Sequence, residues 1–223
     1  MRVTRDPPAD MDRWKGDFMR MRWLTAVAVV LVASLALGLL AGCGGGTTTY
    51  TNDEYGFSFD YDSGVFTEST DTSAAGSAGG DSVFKIGFFD ENGTKQGDQF
   101  RDGFLINIYK LNVKIDESLM PAVADEIEKL LPELGKAFGS GATFSDLTEV
   151  KSGNVMGFKT DSTYEMEGTP FKATMYFLFN GDIQYQLTFQ AADDRWSELE
   201  PSFKQVMDTF TVTGEGEPEP APT

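Results

Sequence analysis

Apolar and polar residues alternate through much of the chain between residues 55 and 190. The first alternating segment carries aromatic side chains at every second position, namely Tyr55, Phe57, Phe59 and Tyr61. This period is typical of a strand with one buried face. Similar segments at 83–89, 104–111, 144–150 and 156–166 predict further strands.

The clearest strand pattern flanks Asn180-Gly181, a dipeptide that favours a tight hairpin turn. Before the turn the apolar positions are Phe171, Ala173, Met175, Phe177 and Phe179. After it they are Ile183, Tyr185, Leu187 and Phe189, which alternate with Gln184, Gln186, Thr188 and Gln190. The sequence therefore predicts a hairpin with one apolar face and one polar face.

Two segments have apolar residues at helical spacings of three and four. The first ends at Phe138, has Ser118 as its expected N-cap, and contains Pro132, which predicts a kink or a break into two helices. The second contains Leu199, Phe203, Val206 and Met207, with Asp193 or Ser197 as its expected cap. Strands and helices in this order predict an α+β fold, an antiparallel β-sheet with flanking helices.

An apolar segment near the N-terminus, residues 24–40, follows Arg20 and Arg22. This is the pattern of an export signal, although a membrane-spanning anchor needs only about 20 apolar residues. Leu40, Ala41 and Gly42 precede Cys43, the only cysteine, and together the four resemble a bacterial lipobox. The resemblance implies cleavage before Cys43 and acylation of its thiol. We therefore expect residues 1–42 to be a signal peptide and the acyl anchor on Cys43 to be the only bound group.

The first 18 residues are unusual for an export signal because they contain four Asp residues and a Pro pair. We hypothesise that translation begins at Met19 or Met21. The alternative, a long but genuine n-region, stays open.

Outside the leader, two segments lack apolar residues. Residues 43–49 predict the lipidated cysteine and a Gly/Thr tether, so we expect the folded domain to span 50–213. Residues 214–223 are rich in Pro and Glu and predict a disordered acidic tail. The Gly/Ser/Ala segment 69–81 predicts a mobile loop within the domain.

The charge balance excludes nucleic acid as a partner. Six of the 18 basic and four of the 35 acidic residues precede Cys43, so the chain from Cys43 onward has 12 basic and 31 acidic residues, net −19. Such a surface repels phosphates and anionic headgroups. Membrane residence would therefore depend on the lipid anchor.

The absence of histidine and the single cysteine exclude several kinds of site. Ser-His-Asp and Cys-His catalysis, histidine-ligated metals and internal disulfides all need residues that the chain lacks. Asp90, Asn92 and Thr94 imitate the start of a calcium-binding EF-hand loop, but Gly93 precedes the position where that loop needs glycine. We predict no metal site.

The domain resembles the PsbP/Mog1-like families, including small actinobacterial lipoproteins of that fold. The resemblance rests on the opening strand 55–59, the strand start at Met156-Gly157-Phe158, the 171–189 hairpin and the closing segment 203–210. It implies a PsbP/Mog1-like α/β sandwich and a non-enzymatic role. The sequence departs from the family at Tyr61-Asp62-Ser63-Gly64, where a proline is usual.

One polar face of the predicted sheet is a candidate binding surface because its amides and hydroxyls offer directional hydrogen bonds. Its residues are Lys172, Thr174, Tyr176, Gln184, Gln186, Thr188 and Gln190. The alternative is an ordinary solvated face of a one-sided sheet. Asp193-Asp194 and Glu165/Glu167 could imitate a glycosidase carboxylate pair, but helix capping and an exposed strand face explain them better.

These observations predict a membrane-tethered, extracytoplasmic lipoprotein that acts as a non-enzymatic binding or accessory module for an unidentified envelope protein or ligand. The alternative is a carboxylate-dependent hydrolase acting on envelope glycan, which would need paired acids in a cleft. A third possibility, a solute-binding lipoprotein, normally has two lobes and a longer chain.

Overall fold

The alternating segments form strands and the segments with helical spacing form helices, which confirms the α+β class with an antiparallel sheet. The computed structural model describes residues 46–70, 82–138 and 140–213, all within one unit of the chain, Gly42–Thr223. The strands are β1 (Thr47–Asn52), β2 (Phe57–Asp62), β3 (Thr67–Ser69), β4 (Phe84–Phe89), β5 (Lys95–Gln96), β6 (Gln99–Phe100), β7 (Gly103–Ile115), β8 (Ser140–Phe144), β9 (Thr148–Ser152), β10 (Val155–Met166), β11 (Thr169–Ala192) and β12 (Thr211–Val212). The helices are α1 (Met120–Phe138) and α2 (Asp193–Thr209).

The main sheet has the order β3-β4-β7-β11-β10-β8, with β9 also paired to β10. A smaller sheet has the order β1-β2-β12, and β5 pairs with β6 in the loop before β7. Every pairing is antiparallel. The predicted strand 144–150 is divided, because β8 and β9 pair with different parts of β10.

The long strand β11 reverses direction. Its first arm, 169–179, pairs with β10, and its second arm pairs with β7 through residues 181–190. Thirteen extended residues span about 43 Å, yet the rings of Tyr176 and Phe189 lie 5.8 Å apart. The chain therefore folds back, and Gly181, with φ 59°, supplies the left-handed conformation that such a turn needs. The predicted hairpin at Asn180-Gly181 is confirmed.

Each face of the main sheet carries a buried core. On one face α2 and strand β2 pack against an aromatic core that includes Phe104, Leu187 and Phe189. On the other face α1 packs against a second core that includes Phe171, Met175 and Phe177. The prediction of a hairpin with one solvated face is therefore wrong.

The helix α1 runs without a break through Pro132, so of the two predicted alternatives, a kink or a division into two helices, the division is wrong. Pro132 is exposed, and the carbonyl of residue 128 that it leaves without a helical donor lies on the exposed Glu128. Ser118 is not the helix cap. It lies in a 3-10 turn, Glu117–Leu119, where Asp116 is the cap and its carboxylate accepts a bond from Ser118 N at 2.9 Å.

The N-terminus of α2 is held by a side chain from the main sheet instead of by its own cap. The helix starts at Asp193, its cap position is Ala192, and neither Asp193 nor Ser197 caps it. The Asp102 carboxylate accepts hydrogen bonds from Ala192 N at 2.9 Å and from Thr94 N at 2.8 Å. Asp102 thus ties α2 to the start of β7.

The domain begins earlier than the sequence predicts, because Thr47–Thr49 belong to β1 instead of to the tether. β-Branched threonine suits a strand, and Thr49 Oγ1 donates to Asp60 at 2.6 Å. The first turn forms without the usual proline, since Asp62 accepts bonds from Gly64 N and Phe66 N.

No helix within residues 46–70, 82–138 and 140–213 is long and apolar enough to span a bilayer. Several predictions lie outside the described residues. They are the signal peptide 1–42, the lipidated Cys43, most of the loop 69–81 and the tail 214–223.

Candidate functional site

The seven residues of the candidate binding surface, which we call the polar platform, do not form one surface. Lys172, Thr174 and Tyr176 share a face with α2, since Tyr176 packs against the α2-side core. The four polar residues of the second arm lie on the opposite face, because their neighbours in sequence, such as Leu187, belong to that same core. Gln186, Thr188 and Gln190 are buried and Gln184 is half-buried. The structure therefore divides the predicted binding face in two.

The first half of the platform lines an open groove beside α2. The groove has a volume of about 500 Å³ and extends from the edge of β8 across β10 and the first arm of β11 to the wall formed by α2. We call it the α2 groove. Its polar and aromatic lining comprises Thr143, Phe144, Ser145, Lys159, Asp161, Ser162, Thr163, Lys172, Thr174, Trp196 and Glu200.

Asp161 is the centre of the hydrogen-bond network on the groove floor. Thr174 Oγ1 donates to its carboxylate at 2.6 Å, and Lys159 Nζ forms an ion pair with it at 3.1 Å. The side chain of Asp161 is 55% exposed, so the carboxylate is available to a ligand. Thr174 is buried, which fixes its hydroxyl toward Asp161.

Lys172 connects the groove to the first turn of α2. Its Nζ lies 2.7 Å from Asp193 Oδ1, and both side chains are about half exposed. Asp193 therefore belongs to an ion pair between sheet and helix, in a first turn where the helix dipole also favours a negative charge. The groove combines ammonium, carboxylate and hydroxyl groups with one indole.

Tyr176 is half-buried and packs against the α2-side core. Its ring contacts Phe189 edge-on. Burial raises the pKa of the Tyr176 phenol, and the charges of Asp161 and Asp208 raise it further. Tyr176 is therefore a neutral phenol at physiological pH.

Gln190, which belongs to the second half of the platform, has a structural role. Its Nε2 donates to Arg101 O at 2.8 Å, and its Oε1 accepts from Tyr164 OH at 3.4 Å. Asn107 and Tyr109 of β7 point to the same face, since Asn107 pairs with Gln186 and Tyr109 with Gln184. Asn107 Oδ1 and Tyr109 OH are buried and have no hydrogen-bond partner among the described residues, and burial raises the pKa of Tyr109.

Sequence reasoning missed this pair, although Asn107 is a visible polar interruption in an apolar strand. It also missed Trp196, Lys159 and Asp161 as groove residues, because they come from α2 and β10. The alternation of polar and apolar residues within β11 does not show which side chains of α2 and β10 will lie beside it.

A second, smaller groove of about 390 Å³ adjoins the first. It is lined by Gly141, Thr163, Tyr164, Glu165, Pro170, Phe171 and Asp193. Glu165 is exposed there, whereas Glu167 lies in the β10–β11 turn with φ 51°. The two acidic pairs thus lie in different places. Glu165 lines the smaller groove and Glu167 lies in the turn, whereas Asp193 and Asp194 lie in the first turn of α2.

The Asp90 loop is held by an ion pair and a side-chain hydrogen bond. Asp90 Oδ2 lies 2.7 Å from Arg195 Nη2, and Asp90 Oδ1 accepts from Asn92 N at 2.8 Å. Across the described ranges, no three acidic or cysteine side chains cluster as metal ligands would.

Comparisons with solved structures identify the fold. The chain is similar to cyanobacterial PsbP (CyanoP) from Synechocystis sp. PCC 6803, with a TM-score of 0.50 and 17% identity over 79% of this chain and 98% of that one. It is also similar to LpqN, involved in cell envelope biogenesis of Mycobacterium tuberculosis, with a TM-score of 0.45 and 15% identity over 78% and 87%. A protein from Bacteroides thetaiotaomicron matches with a TM-score of 0.49 and 16% identity over 76% of this chain and 49% of that one.

The chain therefore spans about half the length of the Bacteroides protein. No protein-family model matches the sequence, and no curated protein matches it. The fold is PsbP-like, as the sequence resemblance implies.

Proposed function

We propose that this protein is a lipid-anchored extracytoplasmic module that binds an envelope partner or ligand in the α2 groove without catalysing a reaction. Leu40, Ala41, Gly42 and Cys43 support the anchor, because they end an apolar leader and contain the only cysteine. The PsbP-like fold is compatible with an accessory role, although fold alone does not determine function.

The observation that carries the non-catalytic proposal is the setting of the groove carboxylates. A glycoside hydrolase needs one carboxylic acid kept protonated by an apolar environment. Asp161 is instead 55% exposed and paired with Lys159, and Asp193 is 49% exposed and paired with Lys172. Exposed, ion-paired carboxylates suit the binding of a ligand better than acid–base chemistry.

The anchor is tested by the substitution Cys43→Ala. We expect the variant either to accumulate as an uncleaved precursor or to be released, because one thiol provides the acyl attachment and two chains are needed for durable binding. Detergent-phase partitioning and the mass of the N-terminal peptide measure the two outcomes. Gly45→Ala, two residues beyond the cysteine, is the matched control and should behave as wild type. A Cys43→Ala product that is cleaved after Gly42 and still enters the detergent phase would contradict the anchor.

The groove is tested by photo-crosslinking in the native membrane. We expect a photoreactive amino acid at the exposed groove position Thr163 to crosslink an envelope component, and one at the exposed Lys129 of α1, outside the α2 groove, to give none. Loss of the Thr163 adduct in a Lys172→Met background would link capture to the groove. Equal capture at both positions, or none at Thr163, would contradict the proposal.

A further inference from the structure

The two grooves beside α2 adjoin each other, and we call them together the track. They share Thr163, and the Lys172–Asp193 ion pair joins them, since Lys172 lines the larger groove and Asp193 the smaller. Each has a volume within the range of about 300–1,000 Å³ that is usual for small-molecule sites. A track of this kind accommodates an elongated ligand with repeated units better than a single compact one.

Trp196 provides an aromatic wall for this track. Its indole packs on Phe203 with ring centroids 5.5 Å apart, so the ring is supported from behind while it also lines the groove. Trp196 is half-buried. An indole fixed in this way offers contact area at little cost in side-chain entropy and combines apolar contact with hydrogen-bonding neighbours.

The polar groups that line the groove together with the indole are hydroxyls and charged groups that hydrogen-bond to one another. Thr143 and Thr163 share a hydrogen bond of 2.8 Å, and Thr174 donates to Asp161. Lysine and aspartate can donate to and accept from a hydroxyl with charge-assisted bonds. The lining therefore matches a ligand that carries many hydroxyl groups and has apolar ring faces.

The charge of the track disfavours an anionic ligand. Lys159 and Lys172 are balanced by Asp161 and Asp193, and Glu165 and Glu200 add negative charge at the sides. The chain as a whole carries a net charge of −17, which repels an anionic ligand.

We propose that the α2 groove and its smaller neighbour bind a neutral oligosaccharide, with Trp196 stacking on a sugar ring and Lys159, Asp161 and Lys172 bonding its hydroxyls. This deepens the proposed function, on which it rests, by naming the class of ligand. The ligand is bound and released unchanged.

Trp196 allows a direct test, because the other two tryptophans, Trp14 and Trp23, precede Gly42. The unit Gly42–Thr223 contains both hydrophobic cores, so the chain from Gly42 onward can be studied by itself. We expect its tryptophan fluorescence to change saturably on titration with a neutral N-acetylglucosamine tetramer or with maltotetraose, at up to millimolar concentrations. An anionic oligogalacturonate of the same length should bind at least about tenfold more weakly.

Two variants locate the site. Lys172→Met should weaken oligosaccharide binding about tenfold, because it removes a charge-assisted donor from the centre of the track. Lys129→Met, which removes an exposed lysine from a similar ion pair on α1, should leave the affinity unchanged. Thermal unfolding of both variants checks that they are folded.

Two outcomes overturn the inference. They are no saturable response to either neutral oligosaccharide, and equal loss of affinity in the Lys172 and Lys129 variants. Crosslinking at Thr163 that persists in either case would preserve the proposed binding role without a saccharide ligand. Release of shorter sugars during the titration would support the saccharide inference and contradict the non-catalytic function.

Discussion

Asp102 shows how one buried carboxylate organises the domain. It is fully buried, and its two oxygens accept bonds from backbone N–H groups that belong to the Asp90 loop and to the start of α2. Gly93 packs so closely that a Cβ there would lie 2.7 Å from Asp102 Oδ2. The position of α2, and hence the wall of the α2 groove, depends on this side chain.

Removing the Asp102 carboxylate should therefore destabilise the fold. We expect Asp102→Ala to lower the free energy of unfolding by about 3–5 kcal/mol, because two charge-assisted bonds are lost and two buried donors are left unpaired. Asp98→Ala, at an exposed site in the β5–β6 turn, should change it by less than about 0.5 kcal/mol. Urea titration measures both, and similar values for the two would contradict the role of Asp102.

Because of Tyr185, the free energy of unfolding should fall at alkaline pH. Burial raises the pKa of Tyr185 to about 12, and its hydroxyl donates to Tyr55 O at 2.8 Å. Above the ordinary tyrosine pKa of about 10, the unfolded chain loses this proton while the folded chain retains it, so stability falls as pH rises from about 10 to 12. Tyr185→Phe should be less stable at pH 7 but should show a shallower fall over this interval. An unchanged slope in denaturant titrations at each pH would contradict this assignment.

At the scale of elements, the β11 hairpin explains both the success and the error of sequence reasoning. The alternation and the Asn180-Gly181 turn were sufficient to predict two paired arms. In a two-residue hairpin, even positions of one arm face the same side as odd positions of the other. Lys172 and Gln186 therefore had to lie on opposite faces, which the grouping of even-numbered residues overlooked.

Other features could not be predicted because they depend on contacts with residues that are far away in the sequence. The threonines of β1 resemble a polar tether until they pair with β2. Gln190 resembles a solvated residue until the Arg101 carbonyl and Tyr164 are brought to it. The α2 groove likewise exists only after α2 packs across β10 and β11, so only Lys172 and Thr174 of its lining were identified from the sequence.

Burial of both sheet faces changes the expected effect of polar substitutions on β11. Leu187→Ala should cost about 2–5 kcal/mol through lost burial and a cavity. Gln190→Ala should also cost about 1–3 kcal/mol, because it leaves buried partners unpaired. Gln205→Ala, on the half-buried side of α2, should stay within about 0.5 kcal/mol. A negligible effect of Gln190→Ala in urea titrations would mean that this face is solvated after all.

For the whole molecule, the negative charge and the proposed anchor would act in opposite directions. The chain from Cys43 onward has a net charge of −19, which repels an anionic bilayer. Acylated Cys43 would overcome this repulsion, and β1 begins only four residues later, so the domain would remain close to the membrane. The α2 groove would then meet ligands of the envelope.

Lysine labelling in intact cells measures whether the α2 groove faces the extracytoplasmic side and is occupied there. A membrane-impermeant amine reagent is applied to cells and to the purified domain, and the modification of each lysine is compared by mass spectrometry. Lys129 and Lys172 are both solvent-exposed, and only Lys172 lines the groove. We predict equal labelling of Lys129 in the two samples and reduced labelling of Lys172 in cells. Equal labelling of Lys172 in both samples, or no labelling of Lys129 in cells, would contradict the account.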